Sequence, residues 1–311
     1  MKFNSIYNWN IPWRRLAGRA ATKDRTLRKR SIAPDGSSTA ESSNPAASLT
    51  RGLEILRAFT IEDATLGNQE LLERTGLPKA TVSRLTATLV DLGYLHYDNG
   101  LGRYSIGPAT VSLGYSALSS NAVIHLARPL MQVLADKTGA AVALGTRDGL
   151  EMVYLANCRS NSPVSLQLNV GSRLPIWRTA MGLAYMAEMV PDIRSSVVER
   201  LISDNPSQTA QITQAFDDTM HQYTTNGFVA GFGVWFSYIN AIGVAFRPTD
   251  GSPLIALTCG GIVDILPRER CINEVAPALL DLTMRLKAQL AGRETPQSTI
   301  LTPSNWKTTA E

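Results

Sequence analysis

The sequence predicts an α+β chain of two domains, the first a three-helix unit closed by a β-hairpin. Three observations predict it. Three short helical patterns from Ser48 onward are followed by two alternating segments around a glycine-containing turn. Beyond residue 121, strand-like segments are grouped between helical ones. The length of 311 residues suits two domains.

Each element has a local reason. Ser48 is a suitable N-cap for a first helix, with Leu49, Leu53, Leu56 and Phe59 at helical spacing. A second amphipathic helix ends at Thr75-Gly76, and a third opens at Pro78, whose missing amide hydrogen suits a first turn. Helices joined by so short a Gly-containing turn make a helix-turn-helix, whose second helix enters the DNA major groove. At about 100° per residue, Val82, Leu85, Leu89 and Leu92 share a stripe expected to face the core. Ala80, Ser83 and Ala87 centre the opposite face, with Lys79 and Arg84 at its flanks and no carboxylate until Asp91. Small residues allow close approach, Ser83 and Arg84 can bond to base edges, and Lys79 supplies charge. The free amides from Lys79 to Thr81 can hold a phosphate. Alone, such a face also suits an ordinary surface helix.

The flanks favour DNA. Tyr94-Leu95-His96-Tyr97 and Arg103-Tyr104-Ser105-Ile106 alternate like strands around Asp98-Asn99-Gly100-Leu101-Gly102, giving a winged helix-turn-helix. Arg103 either reaches a phosphate or the minor groove, or stays a solvated hairpin arginine. Arg51 and Gln69 on the preceding helices complete the candidate DNA-binding set of Arg51, Gln69, Lys79, Ala80, Thr81, Ser83, Arg84, Ala87 and Arg103.

Ser48-Leu49-Thr50-Arg51-Gly52-Leu53-Glu54-Ile55-Leu56, Thr75 to Leu85, and Arg103-Tyr104-Ser105-Ile106-Gly107 closely resemble the IclR family of bacterial transcription regulators. So do Val170-Gly171-Ser172-Arg173-Leu174-Pro175 and Thr179-Ala180-Met181-Gly182-Leu183-Ala184, so that the resemblance covers residues 48 to 290. It implies a winged helix-turn-helix at 48–107, a linker helix at 108–121 and a GAF-like effector-binding domain at 122–292, with an antiparallel sheet flanked by helices. It also implies a dimer, often paired into a tetramer, that switches transcription in response to a small metabolite.

The linker stretch carries Val111, Leu113, Tyr115 and Leu118. Behind it come a helix from Ala122 to Lys137, stopped by Gly139, and strands at Ala141 to Gly145, Met152 to Ala156 and Ser165 to Asn169. Helices are expected at Arg178 to Met189, Asp192 to Ile202 and Gln208 to Thr225, then strands at Tyr238 to Phe246 and Leu254 to Cys259. The last helix shows Ile272, Val275, Leu279, Leu282 and Leu286, with Pro277 calling for a kink or a helix start nearby.

The resemblance implies an effector pocket at Ala180, Met181 and Gly182, with Trp177 close by. It adds Asn240, Ala241 and Val244 on one strand and Leu257 and Cys259 on the next. Small residues and free amides at a helix N-terminus suit a carboxylate. Family members often carry a carboxylate before the first of these strands and serines on the second. Here Gly231-Phe232-Gly233-Val234-Trp235-Phe236-Ser237-Tyr238 and Leu257-Thr258-Cys259 make the site more apolar. Trp235, Phe236 and Tyr238 are either core packing or pocket walls, with pocket contact by at least one of them favoured. None of the expected pocket positions is cationic, so a compact carboxylate, aromatic ones included, is expected rather than a sugar phosphate.

Residues 1–30 hold nine Lys and Arg against Asp24, net +8, so the rest of a chain whose total is +4 carries −4. Residues 1–47 and 293–311 are expected to be disordered tails. The basic one is either a loose polycation adding salt-sensitive DNA affinity or, the favoured reading, a dispensable extension. No apolar run approaches the ~18 residues of a membrane helix, and no signal peptide is visible, so a cytoplasmic location with no membrane partner is expected. Cys158, Cys259 and Cys271 form no CxxC pair, and His96, His125 and His221 stand apart. No metal, cofactor or catalytic residue is expected, since the motifs of hydrolases, nucleotide-binding enzymes and zinc proteases are missing. The expected partners are a double-stranded DNA operator, a small-molecule effector and a second copy of the chain. The alternative is a metabolite sensor or enzyme that keeps a degenerate helix-turn-helix.

Overall fold

The computed structural model describes residues 45–162, 166–248 and 251–292. The proposed tails therefore lie outside the described residues, except for residues 45–47. The chain divides between Ala117 and Leu118 into two compact units.

The first unit runs α1 (Pro45–Arg57), β1 (Leu66–Gly67), α2 (Asn68–Thr75), α3 (Lys79–Asp91), β2 (Leu95–Asp98), β3 (Arg103–Ile106) and α4 (Pro108–Ser119) up to Ala117, the last two residues of α4 falling past the division. Its antiparallel sheet has the order β1-β3-β2, and β1 is an element the sequence did not announce. Gly76 takes a left-handed conformation (φ 67°) and donates to the Leu72 carbonyl, so the turn into α3 is sharp. Pro78 is the N-cap of α3 rather than its first residue, and its carbonyl accepts from the Val82 amide at 3.0 Å.

Packing corrects two apolar stripes. Helix α1 starts ahead of Ser48, so Ser48 is interior and residues 45–47 are helical. Ile55 is fully buried while Leu49 and Leu53 are exposed, because α3 and the sheet receive the face next to the leucine stripe. On α3, Val82 and Leu85 are buried as expected, but Leu92 at the C-cap is exposed. Thr86 is buried instead, its hydroxyl bonded to the Val82 carbonyl at 2.9 Å and 3.2 Å from the Tyr104 hydroxyl. Helix α4 buries no residue and presents Val111, Leu113 and Tyr115 to solvent.

The second unit runs α5 (Ala122–Thr138), β4 (Ala141–Asp148), β5 (Glu151–Arg159), β6 (Arg173–Pro175), a 3-10 turn (Ile176–Arg178), α6 (Ala180–Glu188), α7 (Pro191–Asp204) and α8 (Thr209–Asn226). It ends with β7 (Val229–Phe232), β8 (Ile239–Phe246), β9 (Ile255–Ile262), α9 (Arg268–Arg270), a π-helical segment (Cys271–Val275) and α10 (Ala276–Leu290). The six-stranded sheet has the order β6-β5-β4-β9-β8-β7 and every pairing is antiparallel. Helices α5 and α10 cover one face, where Met131, Leu144, Phe246, Leu257 and Leu279 meet. Helices α6, α7 and α8 cover the other, around Met152, Met181, Met186 and Ala245.

Residues 166–169 form no strand; the third strand of this region is β6. The Leu168 carbonyl is instead held by the Asn157 amide at 2.5 Å and by the Arg159 guanidinium. Pro277 falls in the first turn of α10, where its missing amide costs least, and the π segment supplies the break ahead of it. Strand β7 pairs with the edge of β8 and was not foreseen.

Candidate DNA interface and effector cavity

Helix α3 presents Lys79, Ala80, Ser83, Arg84 and Ala87 to solvent, with Thr81 half-buried at the flank of that face. The opposite side of the helix is fixed by Val82, Leu85 and Thr86 in the core, so its rotation is set by packing. Arg51 on α1 and Gln69 on α2 are also exposed, and the Gln69 amide donates to Glu73 at 3.2 Å. A clasp steadies the loop ahead of α2. Arg74 makes two bonds to Asp63, at 2.5 and 2.8 Å, and one to the Ala58 carbonyl at 2.8 Å. The Arg74 guanidinium holds the Asp63 carboxyl down at about 2.

Arg103 does not extend from the wing. Its guanidinium bonds to the Thr65 hydroxyl at 2.7 Å and the Thr65 carbonyl at 2.9 Å, and pairs with Glu70 at 2.8 Å. Glu70 in turn accepts from the Gly67 amide at 2.7 Å, and this bond, with the Arg103 guanidinium second to it, keeps its carboxyl below the ordinary range. Arg103 thus ties β3 to the start of α2, a contact invisible in sequence because its partners lie more than 30 residues away.

In the second unit, β4, β5, β8 and β9 form the floor of a cavity that encloses about 580 Å³ of empty space, its open mouth included. Of the residues expected to line it, Ala180, Met181 and Trp235 do so, and so does Ala241. Helix α6 opens at Thr179, whose hydroxyl accepts from the Gly182 amide at 3.2 Å. The helix lies so close to β8 that a Cβ on Gly243 would stand 2.1 Å from the Ala180 carbonyl oxygen. Gly182 faces away from the cavity: a Cβ there would meet the Ile176 carbonyl at 2.0 Å, so this glycine serves packing. Trp177 lies outside the lining and packs half-buried against the α6 side of the core.

Four expected pocket residues point through the sheet to the wrong side. Val244, Leu257 and Cys259 belong to the cluster under α5 and α10. Asn240 is buried and donates its amide to the Leu266 carbonyl at 2.8 Å. Successive strand residues face opposite ways, so a reading one residue out of register inverts every side chain. The cavity receives the residues of the other face: Ala241 on β8, which is among the expected positions, and Thr258 and Gly260 on β9, which are not. Cys259 is therefore no nucleophile candidate; burial pushes its thiol up to about 12.

The structure adds residues that the sequence did not flag. Tyr154, Asn157 and Arg178 line the cavity together with Leu166, Leu168 and Ile239. The exposed Arg178 guanidinium stands 5.5 Å from the Trp177 ring centroid, and no ion pair or hydrogen bond engages it among the described residues. It could have been found from its place one residue before the cap of α6. Trp235 packs against Phe236 at 4.6 Å between centroids, and Phe236 stacks on Tyr238 at 5.5 Å, so Trp235 alone of the three reaches the cavity.

Residues 48–99 match the IclR helix-turn-helix domain, and residues 115–287 match the bacterial transcriptional regulator IclR C-terminal domain. The chain belongs to the IclR family. Like its relatives it is a transcription regulator with a DNA-binding helix-turn-helix and a C-terminal effector domain. It is 32% identical to the HTH-type transcriptional regulator TsaQ1/TsaQ2 of Comamonas testosteroni, over 80% of this chain and 90% of that one. The IclR-family regulator of Brucella abortus matches at a TM-score of 0.73 and 35% identity, over 81% of this chain and 96% of that one. An IclR homologue of Microbacterium hydrocarbonoxydans, solved in complex with 4-hydroxybenzoate, shares the fold at a TM-score of 0.63 and 20% identity, over 79% of this chain and 99% of that one. Among the described residues no group of His, Cys, Asp and Glu could hold a metal, and no helix is long and apolar enough to cross a membrane.

Proposed function

We propose that this IclR-family protein binds operator DNA as a dimer through α3, in the cytoplasm, and that a small carboxylate in the α6-side cavity sets its operator affinity. One observation carries the effector reading. Arg178 is a cation without an ion-pair partner at a cavity otherwise lined by apolar and uncharged side chains. A single guanidinium matches one carboxylate bidentately, whereas a phosphate ester calls for several converging cations. Asn240 supplies no polar anchor, since its amide is engaged by the Leu266 carbonyl. The wall of Trp235, Leu166, Leu168, Leu174 and Ile239 suits an apolar, aromatic body.

DNA contact is assigned to Lys79, Ala80, Thr81, Ser83, Arg84 and Ala87, with Arg51 and Gln69 as flanking phosphate contacts. Arg103 is reassigned to holding the wing. Dimerisation is supported by the exposed Leu49 and Leu53 of α1 and the exposed Val111, Leu113 and Tyr115 of α4. A twofold dimer reads a nearly palindromic site with half-sites about one helical turn, or a multiple of it, apart. Reciprocal coupling then requires that operator DNA alter effector affinity by the same factor that the effector alters DNA affinity.

The test is a thermal-shift and tryptophan-fluorescence series with benzoates, aliphatic keto acids and sugar phosphates, followed by gel shifts on the DNA upstream of the gene. Carboxylates are expected to bind, and Arg178→Leu to weaken them at least tenfold. A response to sugar phosphates alone, or a monomer on a single half-site by light scattering, refutes the corresponding half of the reading.

A further inference from the structure

Helix α3 belongs to a DNA-binding helix-turn-helix, and the face it leaves free is chemically narrow. Between Ala80 and Ala87 the exposed residues are Ala80, Ser83, Arg84 and Ala87. The rotation that presents them is fixed from behind: Val82, Leu85 and Thr86 are buried, and the Thr86 hydroxyl lies 3.2 Å from that of Tyr104 on β3. The Thr88 hydroxyl is turned inward and donates to the Arg84 carbonyl at 3.1 Å. The Arg84 guanidinium itself is engaged by no ion pair or hydrogen bond among the described residues, so it is free to meet a base.

Base edges in the major groove ask for different partners. Adenine is read bidentately by Asn or Gln and the cytosine amino group by Asp or Glu. The exposed face from Ala80 to Ala87 carries none of these four. A guanidinium matches O6 and N7 of guanine, and a methyl group matches the C5 methyl of thymine. Ser83 can donate or accept, so it discriminates little. Ala80 and Ala87 stand two helical turns apart at nearly the same azimuth, separated by about 10 Å along the axis. That distance is about three base-pair steps. Arg84 lies between them, about one turn from each. Alanine reaches a base only when the backbone sits deep in the groove, and the equally short Ser83 allows that depth.

We infer that α3 reads a half-site in which two thymine methyls, about three base-pair steps apart, meet Ala80 and Ala87, with a guanine between them held by Arg84. Each thymine contributes by withdrawing a methyl group from water, not by a hydrogen bond. This rests on the assignment of α3 as the DNA-reading helix.

The experiment measures dissociation constants of full-length protein, by gel shift, for the duplex it protects from nuclease upstream of its gene. Deoxyuridine, which lacks the methyl, replaces each thymidine of a half-site in turn, and 7-deazaguanine, which lacks N7, replaces each guanine. Deoxyuridine is expected to weaken binding about threefold or more at two thymines, and 7-deazaguanine about tenfold or more at a guanine between them. Ala80→Gly is expected to abolish one thymine effect and Ala87→Gly the other. The substitutions in the DNA test the parent protein, so the outcome does not hang on the folding of a variant. Deoxyuridine tolerated at every position, or both thymine effects retained in both glycine variants, overturns the methyl reading and leaves α3 as the DNA-reading helix. Affinity and base preference both unchanged in Arg84→Ala overturn the two together.

Discussion

Ala241 and Val244 lie on one strand, three residues apart, and separate the two faces of the effector domain by experiment. Val244 is 3% exposed and sits in the core under α5 and α10. Val244→Ala removes two buried carbons, worth roughly 0.8 kcal/mol each, and leaves a cavity that adds about 1 kcal/mol. A loss of about 2–3 kcal/mol in unfolding free energy is expected, with ligand affinity within threefold of the parent. Ala241→Leu does the opposite. Its new carbons enter the empty cavity, where the neighbouring Gly260 offers no side chain to clash with, so stability should change by less than about 1 kcal/mol while ligand binding is lost. The assays are urea denaturation at fixed protein concentration, since dimer dissociation is linked to unfolding, and titration of Trp235 fluorescence with the best-bound benzoate. Unaltered ligand affinity in Ala241→Leu, or a stable Val244→Ala protein that no longer binds, would refute the facing of the strand.

Four further outcomes follow from particular contacts. Arg84→Ala should cost about 1–3 kcal/mol of operator affinity and alter base preference, whereas Lys79→Ala should weaken all sequences alike and flatten the salt slope by about one unit, both read in gel shifts across salt. Arg103→Ala and Glu70→Gln should destabilise the helix-turn-helix, and their effects on hydrogen exchange at 65–75 should be non-additive in the double variant; independent effects would remove the proposed tie. Asp63, held at about 2 against an ordinary 3.8, contributes stability that is complete above the ordinary value and is lost as pH falls through 2; carboxyl NMR should show this value rising towards 3.8 in Arg74→Met. Cys259, fully buried with its thiol pushed up to about 12, should resist iodoacetamide at pH 8 until the protein is unfolded, and rapid labelling of the native protein would contradict its placement.

What the sequence determined by itself is the short-range part of this protein. The turn from Thr75 to Pro78, the exposed Lys79, Ser83 and Arg84, and the hairpin around Gly102 depend on residues within a helical turn or a tight loop of one another. Helical period and turn chemistry are local, so they can be read along the chain. Tertiary structure decided the rest. The task of Arg103 was set by Thr65, 38 residues away. The facing of β8 and β9 was hidden for a different reason. Both strands are covered by helices on both sides and are buried along nearly their whole length, so they carry no polar alternation to mark which side is which. Register then follows from which helix packs on which face: the sequence placed both Asn240 and Ala241 in the pocket although only Ala241 reaches it, and on β9 an error of one residue exchanged Thr258 and Gly260 for Leu257 and Cys259. A bulge in β5 leaves still less trace: Leu144 pairs with Ala156 and Gly145 with Tyr154, so Leu155 is an extra residue that has no signature until its partner strand is in place, and Asn157 faces the cavity because of it.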